Sequence, residues 1–104
     1  MPIHLTAYKN KQEAPELDPA WEINDIEIEH LEELFENYKN RTGSYIEEYS
    51  DTFIDPGCLE PLQEATTESL QISVDIKPQN TIKKLLSLIQ NAVENNEGLA
   101  FIGE

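Results

Sequence analysis

The sequence predicts one α+β domain spanning residues 1–104, with about three helices packed on a small, mostly antiparallel sheet. Three observations support this fold class. The chain has 104 residues, a length typical of a single domain. Apolar residues recur at helical spacing in its middle and towards its end, and short apolar runs typical of strands occur near both termini. Since 38% of the residues are hydrophobic and 8% aromatic, the pronounced acidity does not indicate disorder.

The first predicted element is a strand over Ile3–Tyr8, where β-branched, aromatic and small residues follow one another. Residues 9–22 contain prolines and mixed charges without any period, and they are predicted to form a surface loop. We expect Trp21, near the end of this segment, to be buried, because few other large side chains are available to seal the loop.

The first helix is predicted from Asp25 to about Asn40. Asn24 or Asp25 is suited to cap its N-terminus, and Gly43 is suited to end it. The residues predicted to face the core share one side of the helix: Ile28, Leu31, Leu34, Phe35 and Tyr38.

Tyr45–Ile54 is predicted to be extended, with a bulge or turn near Ser50 and Asp51, because neither of its faces is consistently apolar. Asp55-Pro56-Gly57 predicts a turn, after which Asp55 is expected to cap a second helix. The inward-facing positions of that helix are predicted to be Leu59, Leu62, Thr66 and Leu70.

Ile72, Val74 and Ile76 alternate with polar residues, which is compatible with a short strand or an extended connector. Pro78 is expected to end this segment, and Asn80 or Thr81 to cap a third helix. The apolar stripe of that helix comprises Ile82, Leu85, Leu86, Ile89, Ala92 and Val93. Residues 95–98 are predicted to end the helix, and Leu99–Ile102 to form a closing strand.

Two patterns in the sequence are candidates for a chemical role. Glu27 and His30 form the Glu-x-x-His unit of carboxylate-bridged metal centres, but such centres need a second copy, so a solvated helix edge is expected. Cys58 precedes the second helix, whose N-terminus would favour a reactive thiolate, but we expect Cys58 to be a small buried apolar residue. The sequence therefore predicts a protein that is not an enzyme and has no cofactor, catalytic residue or metal.

Charge is the most informative property of the chain. The sequence has 21 Asp and Glu against 7 Lys and Arg, for a formal net charge of -14. Eighteen of the acidic residues lie between residues 12 and 76, where the only basic residues are Lys39 and Arg41. Such a chain is repelled by nucleic acids and anionic membranes, and a cationic partner would relieve its self-repulsion. We therefore expect a basic protein partner, and no direct binding to nucleic acid or membrane.

Two acidic groups compete as the partner-binding surface. One is the line of Glu60, Glu64 and Glu68 along the second helix. The other, which we favour, surrounds the preceding strand, because strand-end and turn carboxylates lose less side-chain freedom on binding and two tyrosines lie among them. The favoured partner-binding residues are Glu32, Glu36, Tyr45, Glu47, Glu48, Tyr49, Asp51 and Asp55. Asp51 and Asp55 are equally compatible with a role restricted to local turns.

Two segments resemble small bacterial immunity proteins of contact-dependent growth inhibition and other polymorphic toxin systems. Thr42–Ile54 is similar to a motif in which a Thr-Gly step leads into a strand with a Tyr-x-Asp-Thr turn, followed by a helix spaced like Leu59, Leu62 and Leu70. Gly98–Glu104 is similar to the family's ending. The resemblance covers roughly the last sixty residues. It implies an inhibitor that occludes one cognate toxin domain, often a basic nuclease, without catalytic residues of its own.

The alternative function is an acidic nucleic-acid mimic that inhibits a DNA- or RNA-binding protein. Met1–Asn10 lacks the apolar run of a signal peptide. Cys58 is the only cysteine, which fits a reducing compartment. We therefore expect a soluble, cytoplasmic protein.

Overall fold

Four antiparallel strands form one sheet in the order β2-β1-β4-β3. The structure is a computed structural model that describes residues 2–103, except for the side chains of Pro15 and Glu16; Met1 and Glu104, the ends of the predicted domain, lie outside the described residues. The strands are β1 (Ile3–Tyr8), β2 (Trp21–Ile23), β3 (Thr52–Ile54) and β4 (Gly98–Ile102). The predicted first and closing strands are therefore confirmed, and they pair with each other at the centre of the sheet.

Three helices share one core with one face of this sheet, which confirms the predicted α+β class. They are α1 (Asp25–Thr42), α2 (Glu60–Ile72) and α3 (Ile76–Glu94). On the helix-covered face, Leu5 and Phe101 are fully buried, and the rings of Phe35 and Phe101 meet edge to face at 6.0 Å between centroids. The core therefore lies between the sheet and the three helices.

The other face of the sheet is partly covered by residues that were predicted as a surface loop. Within residues 9–22, Lys11–Glu16 forms a 3-10 helix, and the edge strand β2 begins at Trp21. Ala14 is 1% exposed and packs with Tyr8 and Ala100, while Trp21 is buried as predicted. Because this segment buries so few side chains, it has no hydrophobic period by which the sequence would reveal it.

Helix α1 agrees closely with its prediction. Asn24 and Glu27 form a capping box, in which each side chain accepts a hydrogen bond from the backbone N–H of the other. Gly43 has φ of 82°, a left-handed conformation that glycine adopts without strain, and its N–H donates to Lys39 O. All five predicted core-facing residues of the helix are buried.

The boundary between α2 and α3 differs from the prediction. Ile72 ends α2 and Ile76 begins α3, so only residues 73–75 form an extended connector, and the strand alternative is wrong. Pro78 lies in the first turn of α3, where a missing backbone N–H costs no helical hydrogen bond. Thr81 lies inside the helix and is therefore not its cap.

Residues 43–59 also depart from expectation. Only Thr52–Ile54 of the predicted extended segment is a strand, and the turn expected near Ser50 is present at residues 48–50. Asp55 O accepts a hydrogen bond from Cys58 N, which confirms the turn at Pro56-Gly57. The predicted helix cap is wrong, because the residue before α2 is Leu59 and its first turn has no side-chain cap. Cys58 is exposed and not buried as expected.

Candidate partner-binding surface

Residues 44–51, which we name the acidic loop, follow the C-terminal end of α1 and lead into β3. Ile46 is 2% exposed and belongs to the main core, so the loop is anchored at that point. The Thr52 hydroxyl donates to Tyr45 O at 3.3 Å, which closes the base of the loop. The intervening residues project from an anchored base.

Two tyrosines of the predicted site are exposed on this loop. Tyr45 is 41% exposed and Tyr49 is 75% exposed. The Lys39 ammonium lies 5.2 Å from the centroid of the Tyr45 ring, a distance at which a cation and an aromatic face attract. Tyr45 is therefore partly held by α1, whereas most of Tyr49 is exposed to solvent.

The carboxylates of the loop differ in how firmly they are held. Glu47 is exposed, and its Oε1 accepts from the Ser50 hydroxyl at 3.1 Å. Glu48 is half-buried. Asp51 Oδ1 accepts from Gly103 N at 3.1 Å, which ties the loop to the chain just beyond β4. A Cβ atom added to Gly103 would collide with Glu48 O and lie 2.8 Å from Ser50 O, so the two segments are in close backbone contact.

Asp55, just beyond β3, makes a similar long-range contact. Its Oδ1 accepts from the Tyr8 hydroxyl at 2.9 Å. The pKa of the Tyr8 hydroxyl is raised above its ordinary value. Burial of the side chain is the largest cause, and this hydrogen bond to a carboxylate is the next. The side chains of Asp51 and Asp55 thus bind residues distant in sequence at the two ends of β3, and they do not act through local turns alone.

The two predicted residues of α1 border different features of the surface. Both Glu32 and Glu36 are exposed. Glu36 precedes Lys39 by three residues and therefore neighbours it on the helix surface, close to the acidic loop. Glu32 lines a different feature, a groove of about 450 Å³ between α1 and the α2–α3 connector.

The competing acidic line on α2 is partly neutralised by α1. Arg41 forms ion pairs with Glu64 at 2.7 Å and with Glu68 at 2.6 Å. The hydrogen bond from Arg41, and then that from Asn37, lowers the pKa of Glu68 below its ordinary value. The α2 line is therefore partly compensated by one of the two basic residues of the acidic region, and Glu60 is its remaining member without a basic partner among residues 2–103.

The candidate metal pair is engaged in local structure. Glu27 belongs to the capping box of α1, and His30 Nδ1 lies 3.0 Å from the Thr81 hydroxyl on α3. The Thr81 hydroxyl also lies 3.3 Å from Lys77 O, so His30 is engaged in the contact between α1 and α3. No group of three or more His, Cys, Asp or Glu in the described part of the chain is arranged to hold a metal ion.

One exposed surface was not predicted from the sequence: the α2–α3 connector with its flanking aliphatic residues. Ile72, Val74 and Ile76 are all more than 70% exposed. Their alternation with polar residues resembles the pattern of a half-buried strand, so the sequence did not indicate that all three are exposed. The placement of Asp75 three residues before Pro78 was the available signal, because Asp favours helix N-caps and proline is tolerated in the first turn.

Comparison with known proteins gives no assignment: no protein-family model, curated protein or solved structure matches this chain. Within residues 2–103, no helix combines the length and apolarity that crossing a membrane requires. The resemblance to immunity proteins stays a prediction.

Proposed function

We propose that this protein is a cytoplasmic immunity protein that binds one basic toxin domain and neutralises it by stoichiometric occlusion. The observation that carries the proposal is the acidic loop, where Tyr49 is 75% exposed between the carboxylates of Glu47 and Asp51. Exposed tyrosine beside acidic side chains suits a partner that combines apolar surface with Lys and Arg.

The anchoring of the loop favours a binding role. Ile46 holds it in the core, and Asp51 ties its end to Gly103. Because the backbone is held before the partner arrives, less conformational entropy is lost on association than for an untethered loop. Tyrosine adds a large contact area with few rotatable bonds, which is why it is common among the residues that dominate interface energies.

The charge distribution favours the loop over α2 as the first contact. Arg41 neutralises part of the α2 line, whereas among residues 2–103 the partner of Glu47 is only the neutral hydroxyl of Ser50. The formal net charge of -14 would speed encounter with a basic toxin. Where the toxin is a nuclease, the carboxylates of the loop would occupy the positions that substrate phosphates otherwise take.

The test uses a basic candidate toxin domain, sought first in the gene next to this one. Stopped-flow mixing should give an association rate that falls steeply as salt rises, because salt screens the attraction between opposite charges. Glu47→Lys should slow association, and Tyr49→Ala should raise the Kd about tenfold or more. Both variants should reduce protection of cells that express the toxin.

Glu94→Lys is the matched control, since Glu94 is an exposed helical residue at the far end of α3 and its reversal changes the net charge equally. Glu64→Lys is less suitable, because it also breaks an ion pair with Arg41. An association rate independent of salt, or an equal loss of binding for Glu47→Lys and Glu94→Lys, would contradict the proposal. The acidic residues would then serve solubility and not partner binding. Equal binding to unrelated DNA-binding proteins would instead favour a nucleic-acid mimic.

A further inference from the structure

The α2–α3 connector displays an unusual concentration of exposed aliphatic side chains. Ile72 is 71% exposed, Val74 is 88% exposed and Ile76 is 72% exposed, all within five consecutive residues. Single exposed aliphatic residues are normal on a protein surface, but clustered ones mark sites of interaction. Among the described residues, the connector is therefore the aliphatic segment that most strongly indicates an interaction site.

Two of these side chains line the groove introduced above, which we name the α1–connector groove. Its apolar lining also includes Leu34 and Ile82, which are 1% and 3% exposed and so belong to the core beneath it. The groove measures about 450 Å³, and its polar lining includes His30, fixed by its hydrogen bond to Thr81. This is a concave, largely preformed surface.

The charged lining of the groove is acidic, beside the neutral Ser69, Ser73 and Pro78. Glu29, Glu32 and Glu33 contribute from α1, and Asp75 contributes from the connector. Glu29 and Glu33 are four residues apart, so they follow one another along the helix surface at a rise of about 6 Å. No Lys or Arg of the described residues lines the groove. An occupant that carries aliphatic groups must therefore also carry positive charge.

We infer that the α1–connector groove is a docking site for a basic amphipathic segment of a partner protein. The aliphatic side chains of the segment cover Ile72 and Val74, while its Lys or Arg side chains face the carboxylates of Glu29 and Glu33. The groove flanks the N-terminal half of α1, whereas the acidic loop follows its C-terminal end. The inference thus adds a second surface and holds whether or not the partner is a toxin.

The test titrates the isotopically labelled protein with a synthetic amphipathic helical peptide of Leu and Lys, followed by NMR. A peptide with the same composition in scrambled order is the comparison. We expect the amphipathic peptide to perturb the amides of residues 73–75, His30 and Ile82, and to bind more tightly than the scrambled one. Val74→Ser should raise the Kd about tenfold, because it removes an apolar contact at a site too exposed to matter for folding.

Val93→Ser is the matched control, since Val93 is 49% exposed near the opposite end of α3 and does not line the groove. Glu33→Lys should also weaken binding, and Glu94→Lys should not. Equal affinity for the two peptides, perturbations confined to the acidic loop, or equal effects of Val74→Ser and Val93→Ser would overturn the inference. Perturbation of the groove by the unlabelled protein itself would also overturn it, in favour of a second copy as the occupant. None of these readouts involves the toxin, so a failure here leaves the proposed function to its own test.

Discussion

The two acidic surfaces beside α1 use the same side-chain type in different ways. After the C-terminal end of the helix, Asp51 and Asp55 accept hydrogen bonds from Gly103 and Tyr8 and so hold the ends of β3. Along its N-terminal half, no ion pair within residues 2–103 neutralises Glu29 or Glu33. The comparison teaches that composition alone does not separate carboxylates that maintain the fold from those that only display charge.

This difference has consequences for mutagenesis. A change to Asp51 alters the attachment of the acidic loop, and a change to Asp55 alters the attachment of the other end of β3. An effect of either change on binding would therefore be mixed with an effect on stability. Glu33 and Val74 are exposed groove residues, and their replacement should affect binding alone. Glu47 and Tyr49 are the loop residues that best avoid the mixture, because neither makes a long-range hydrogen bond among the described residues.

The largest effect should come from the core that supports both surfaces. Leu34→Ala or Leu85→Ala should lower the free energy of unfolding by ~2–5 kcal/mol, because both side chains are essentially unexposed and their loss leaves a cavity. Leu86→Ala should cost clearly less, since Leu86 is only half-buried although it belongs to the same predicted stripe. Urea denaturation measures all three variants. Equal costs for Leu85→Ala and Leu86→Ala would contradict the observed phase of α3.

The next effect separates the tied loop from the open groove. Gly103→Ala should destabilise the protein by ~1–3 kcal/mol, because the new Cβ would collide with Glu48 O and force the acidic loop away from the end of β4. Val74→Ser should change stability by less than about 0.5 kcal/mol, as expected for an exposed position. Thermal unfolding of both variants makes the comparison. A larger loss of stability for Val74→Ser than for Gly103→Ala would mean that the connector, and not the acidic loop, is held by contacts with the rest of the fold.

Local sequence signals predicted the fold where they agreed with tertiary structure. Helix α1 was predictable because Asn24, Gly43 and a continuous apolar stripe all indicate the same boundaries. The 3-10 helix at residues 11–16 was missed because its one buried residue with a described side chain, Ala14, creates no period. The connector was misjudged because the end of one helix and the start of the next placed Ile72, Val74 and Ile76 in an accidental alternation.

The candidate site was predictable only in part, for a physical reason. The turn near Ser50 was predicted, but Tyr49 was expected in an extended strand, and its exposure depends on where Ile46 enters the core. The bonds from Tyr8 to Asp55 and from Gly103 to Asp51 join residues about fifty positions apart. No local pattern encodes such pairs, so their contribution required the folded chain.

The smallest effect tests the tie between Tyr8 and Asp55 by its dependence on pH. The pKa of Tyr8 is raised in the folded protein, first by burial and then by the Asp55 carboxylate, above the ordinary value of 10.0. The folded state therefore retains a proton that the unfolded state releases. The resulting stabilisation is fully present below about pH 10 and is lost progressively as pH rises towards the folded pKa.

Tyr8→Phe should lower stability at neutral pH by about 0.5–1.5 kcal/mol, the net value of a typical hydrogen bond, and should make the alkaline loss of stability less steep. Some alkaline loss should persist, because burial also raises the pKa of Tyr38. Urea denaturation of the unchanged protein and of Tyr8→Phe, between about pH 8 and pH 11, measures how the free energy of unfolding changes with pH. The reference is tyrosine in the unfolded chain, which titrates at roughly pH 10. Identical slopes would show that the Tyr8 hydroxyl is not held in the folded protein. The Asp55 carboxylate would then be as unconstrained as those of the groove, and Asp51 alone would be a carboxylate that holds an end of β3.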